Sequence, residues 1–138
     1  MCYCKASFVG GGTCNCVTGL SAFAGAGHIN KVTGAASSIV GGNTNTVSGS
    51  GAFVGGGNFN NAATKESFIG GGAGNANGAA CSVVTGGESN STSGAYAVIG
   101  GGKGNSASGV NSVIGGGESN SVTGTCSVEV GVNSHTEP

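Results

Sequence analysis

Asparagine stands at Asn15, Asn30, Asn45, Asn60, Asn75, Asn90, Asn105 and Asn120, one every 15 residues with no insertion or deletion. His135 holds the ninth place. The other columns keep the same spacing: a small residue, two apolar residues, a glycine tract, the Asn, then "x-V-x-G". A strict short period means that each unit is built on the one before it, which is the signature of a solenoid. Helical repeats need units roughly twice as long and would not tolerate 32 glycines. The short β-branched runs between glycines read as strands. The sequence therefore predicts an all-β fold: a parallel β-solenoid, or β-roll, of nine 15-residue coils with two short strands per coil. At a strand spacing of ~4.8 Å the rod would be roughly 40 Å long.

Alternation along a strand assigns most side chains. In "N-x-V-x-G" the Val faces in and its polar neighbours face out. The Asn column belongs at a corner, where stacked amides can bond one another and satisfy turn backbone. Its recurrence on every rung marks it as architecture rather than a ligand site. The other strand carries two adjacent apolar columns, Phe8–Val128 and Val9–Glu129. Only one of them can face the core. The other forms an outward stripe too long for a monomer to leave bare. Alternation does not say which. Phe8, Phe53, Phe68, Val83, Val98 and Val113 are the candidate chain–chain interface, with copies of the same chain as the partner.

The whole chain, 1–138, reads as one domain: a partial coil over 1–6, eight regular coils over 7–126 and a degenerate coil over 127–138. In that last coil Glu129 replaces an aliphatic residue and Pro138 ends the sequence. An inward charge and a proline both block further strand addition. They argue against a third reading, a filament subunit stacked end to end.

Composition removes several classes of function. Net charge is −1 and 7% of residues are charged, with no Asp or Arg. Nucleic acid needs a basic patch. No apolar run approaches the ~20 residues of a membrane span, and the N-terminus lacks the layout of a signal peptide. His28 and His135 lie seven coils apart, so no converging set of different residues presents itself and no catalytic residue is assigned. "GGGKGN" lacks the Ser or Thr that follows Lys in a phosphate loop, and a glycine motif on every rung is architecture. Glu88, Lys103 and Glu118 share one column as an exposed charge ladder. Six cysteines are candidate cross-links: Cys2, Cys4, Cys14, Cys16, Cys81 and Cys126. Four thiolates in two C-x-C pairs suit Zn or Cu(I), but the spacing is not C-x-x-C. A disulfide across the first coils, or burial, is the expected role, with no metal and no cofactor. Cys81 and Cys126 share a column three rungs apart, ~14 Å, which exceeds the reach of one disulfide. They pair with another chain or lie buried as small hydrophobes.

"GVNSVIGGGESNSVTG", carrying Gly109, Ser112, Val113, Ile114, Gly115 and Gly124, resembles the head repeats of trimeric autotransporter adhesins and related phage-fibre repeats. The resemblance implies a left-handed β-roll, three chains side by side, acting as a spike or adhesin on a cell or virion surface and meeting a surface receptor. "NTVSG" and "NSVTG" resemble the repeats of grass antifreeze proteins, whose flat Ser/Thr ranks bind ice. The matching ranks here are Thr46, Ser48, Ser91, Ser93, Ser106, Ser108, Ser121 and Thr123, interrupted by Lys31, Asn61, Ala63, Ala76 and Gly78. The expected function is thus a structural or adhesive oligomeric rod, extracellular or on a virion. Ice binding is the alternative.

Overall fold

The computed structural model describes residues 6–131 and Asn133, together with the backbone of the strand Thr136–Glu137. The chain winds as a parallel β-solenoid of about eight turns of about 15 residues. Each turn contributes two strands of two residues. One nine-stranded sheet stacks the odd-numbered strands from Phe8–Val9 to Val128–Glu129. The other stacks the even-numbered strands from Cys16–Val17 to Thr136–Glu137. Register is in column throughout, as in Val98↔Val113 and Ser106↔Ser121.

The question left by alternation is resolved by burial. The column of Ile39, Val54, Ile69, Val84, Ile99 and Ile114 faces inward and is fully buried. It packs against Val32, Val47, Ala62, Ala107 and Val122 of the second sheet. The Phe/Val column therefore faces outward. Each buried Val or Ile stabilises the rod by about 1.5–3 kcal/mol. Glu129 takes the inward position of its coil and is 8% exposed.

Two coils depart from the apolar core. Asn77 and Thr92 occupy the inward Val column on successive rungs, both buried. Asn77 Nδ2 donates to Phe68 O (3.1 Å) and Ser82 O (2.7 Å). Its Oδ1 accepts from Thr92 Oγ1 (2.9 Å) and from Ser82 Oγ. The amide is fully satisfied inside the core, as a buried polar group must be.

The Asn column does more than stack amides. Each side-chain Oδ1 accepts the backbone N–H of the next Asn at 2.9–3.0 Å, from Asn15 to Asn105. Each Nδ2 donates to the carbonyl four residues earlier, as in Asn75 to Gly71 (3.0 Å), and, from Asn15 to Asn105, to a carbonyl of the next coil, as in Asn75 to Gly87 (2.9 Å). Direct amide-to-amide bonds join Asn45 to Asn30 and Asn75 to Asn60. The ladder is therefore chiefly amide to backbone. It needs the glycine three residues before each Asn. At Gly72 φ is +92°, and a Cβ would stand 2.1 Å from Gly87 O and 2.8 Å from Asn75 Nδ2.

Glycine also makes the turn at Gly19, Gly34, Gly49, Gly94 and Gly109, where a Cβ would stand 1.8–2.1 Å from a carbonyl oxygen of the next coil. Two left-handed corners per coil are mostly not glycine: Ile29 (φ 54°), Phe59 (φ 57°), Cys81 (φ 55°) and Tyr96 (φ 60°) are examples. At these corners the amide reverses and donates to the previous coil, as in Phe59 N to Asn43 O (3.0 Å) and Cys81 N to Lys65 O (3.0 Å). That bond offsets a left-handed cost of roughly 1–2 kcal/mol per residue. Asn75→Ala leaves Asn90 N–H, Gly71 O and Gly87 O without their side-chain partner. Gly87 O keeps Ala73 N–H (2.9 Å), so two groups are left unsatisfied. At roughly 1–3 kcal/mol for each, urea denaturation is expected to show a loss of at least about 2 kcal/mol.

Candidate functional site

The outer faces of the two sheets are the candidate surfaces. The outer face of the first sheet carries the apolar stripe. Phe8, Phe23, Phe68 and Val128 are exposed, and Phe53, Val83, Val98 and Val113 are half-buried. The rings stack in pairs. Phe8 and Phe23 have centroids 5.7 Å apart with planes 7° from parallel, and Phe53 and Phe68 are at 5.3 Å and 9°. Each ring also leans over the glycine two residues on: a Cβ at Gly10, Gly25, Gly55 or Gly70 would stand 3.3–3.6 Å from its Cε1. Where Ser38 interrupts the column, Val40 occupies the neighbouring position and is exposed. The stripe is thus apolar along the sheet except at Ser38.

The outer face of the second sheet carries the hydroxyl ranks. Thr46, Ser91, Ser106 and Ser121 are half-buried, while Ser48, Ser93, Ser108 and Thr123 are exposed. Ser106 Oγ and Ser108 Oγ lie 3.4 Å apart. Lys31, Asn61, Ala76, Ala63 and Gly78 stand in the same two columns, so the unbroken part is the three coils from Ser91 to Thr123.

The polar corner column brings together pairs but no converging site. His28 Nδ1 lies 3.2 Å from Asn43 Oδ1. Lys103 Nζ lies 3.4 Å from Glu88 Oε1, both well exposed, a pair worth a few tenths of a kcal/mol. Among the described residues no group of three or more His, Cys, Asp or Glu could hold a metal ion. No helix there is long and apolar enough to cross a membrane. His135, Pro138, Cys2 and Cys4 lie outside the described residues, as do residues 1–5 of the partial first coil.

The expectation that the cysteines lie buried needs correction. Cys14, Cys16, Cys81 and Cys126 are free thiols, and none of them is buried. The reason is geometric. Cys14, Cys81 and Cys126 sit on left-handed corners and Cys16 on an outward strand position, so none points into the core. Their surroundings differ. Cys81 Sγ donates to Glu66 Oε2 at 3.4 Å, and this bond, with some burial and the carboxylate's charge, raises the thiol above its ordinary value. Cys126 has Asn111 beside it instead. Since the thiolate is the nucleophile, Cys81 is expected to alkylate a few-fold more slowly than Cys126 near pH 8. Peptide mapping after brief iodoacetamide treatment measures this, and Glu66→Gln should narrow the gap. An unchanged gap in that variant would assign the difference to burial alone.

The functional reading rests on these surfaces themselves, because the chain matches no protein-family model and no curated protein significantly.

Proposed function

We propose that this chain is a structural rod that self-associates through its apolar stripe, a segment of an adhesive spike or fibre displayed on a cell or virion surface. The observation that carries the reading is the outward Phe/Val column, apolar over eight coils of one flat face and interrupted only by Ser38. Continuous apolar patches of this kind mark interaction surfaces. A narrow roll has a core one side chain deep on each sheet, and association supplements it. The neutral composition leaves no charge on the stripe to oppose this. Glu129 in the inner column favours a finite rod over endless end-to-end stacking. The wild-type chain is expected to be an oligomer by light scattering. Val98→Glu should convert it to monomer without changing its β-sheet circular dichroism. A monomeric wild-type chain would overturn the reading.

A second reading, ice binding, draws on the paired hydroxyls of Ser91/Ser93, Ser106/Ser108 and Ser121/Thr123. It predicts inhibition of ice recrystallisation that Ser106→Tyr abolishes. No inhibition by the wild-type chain would remove it.

A further inference from the structure

We propose that the stripe is covered by a second copy of this chain running in the opposite direction, about a two-fold axis between the rungs of Phe68 and Val83. The proposal rests on the reading that the stripe is a chain–chain surface, and adds the partner's direction and register. The stripe is not uniform along the rod. Its aromatic members all lie on one side of that axis, Phe68 being the last. Every later member is valine.

This polarity separates the packing choices. Copies running in parallel, whether two or three, set each rung against its own equivalent. Rings then meet rings over one half, and valines meet valines over the other. The glycine column gives no relief, since each ring already leans over the glycine of its own rung. Straight rods packed this way are held apart at the aromatic end and lose contact at the valine end, and a gap of even 0.5–1 Å forfeits about a quarter to a half of each contact's attraction.

Reversal evens the spacing. Phe68 then lies opposite Val83, Phe53 opposite Val98 and Phe23 opposite Val128, while Ser38 with Val40 beside it faces Val113 and Phe8 faces no described rung, so no ring meets a ring. The neighbouring column fits in the same register: Thr85 lies opposite Gly70, Val40 opposite Gly115 and Val130 opposite Gly25. No side chain in that column meets another. A two-fold axis along the strand direction keeps each column facing itself while reversing the rod, and the interface closes on two copies.

Single-thiol chains test this without touching the stripe. Cys81 and Cys126 occupy the corner column beside it, two residues before Val83 and Val128. With the other cysteines changed to serine, a nitroxide on each reports the distance to its copy. Reversed copies place the Cys81 labels one rung apart along the rod, ~5 Å, and the Cys126 labels seven rungs apart, ~34 Å. Parallel copies give both pairs the same short separation. A second test needs no label. Phe53→Val and Val98→Phe singly are expected to weaken the dimer roughly tenfold, and together to restore it, because the pair exchanges sizes across the interface. A dimer with equal label separations, a double variant as weak as the summed singles, or a trimer would overturn the reversed arrangement and leave the stripe as a chain–chain surface. A monomer would overturn both.

Discussion

The structure depends on one corner: an asparagine amide clamped between two coils over a glycine that has no Cβ. From Asn15 to Asn105 the amide closes a turn within its own coil through the carbonyl four residues back. It reaches the next coil through another carbonyl and accepts that coil's Asn N–H. One side chain, itself buried from Asn30 onward, thus bonds three backbone groups at a place where the chain turns away from both sheets. No other residue type has a short side chain with both a donor and a carbonyl acceptor in this geometry. The glycine at φ near +90° is the complementary requirement, because any side chain there would collide with both the next coil and the amide. Two positions in 15 therefore hold the period, which frees most of the rest to vary.

That freedom lets the two outer faces differ. The outward positions do not affect winding, so the first sheet can carry Phe and Val while the second carries Ser and Thr. The two faces lie on opposite sides of a thin core, about 10 Å apart by sheet packing. The result is a stiff rod with one apolar face, one hydroxyl face and little charge on either. Any partner of such a surface, under the proposed reading, would meet repeat spacing and apolar or hydroxyl side chains rather than charge. No acid, base and nucleophile converge among its described residues, and the exposed Lys103–Glu88 pair contributes little.

Winding and strand positions were legible in the sequence because both follow from period and alternation. The Asn column could be read as a corner, but its dominant bonds could not. Spacing shows that amides stack; it does not show that each accepts a backbone N–H from the next rung. The two apolar columns were ambiguous because adjacent residues point to opposite faces and both were apolar. The inward one became evident only with burial, at Ile39, Ile69 and Ile99. The cysteines were misplaced for a related reason. Cys81 and Cys126 lie on left-handed corners, and nothing in a Cys, Tyr or Glu at that position announces a positive φ. Where the Cβ points to solvent and the reversed amide finds a carbonyl, glycine is not needed.

The polar core of the fifth and sixth coils bears on a difficulty peculiar to exact repeats. If one 15-residue coil loops out, every side chain beyond it still lands in its proper column, so hydrophobic pattern alone gives little preference for the complete winding. Residues unique to their coil remove that degeneracy. Asn77 on one rung and Thr92 on the next share a bond that exists only when those two coils are neighbours. Skipping either leaves a buried amide or hydroxyl facing aliphatic side chains, a loss comparable to an unsatisfied buried group. Glu129 does the same at the far end, since it is compatible with the last inward position and with no earlier one surrounded by Ile and Val. The departures from the repeat are thus what make one winding lower in energy than its near copies.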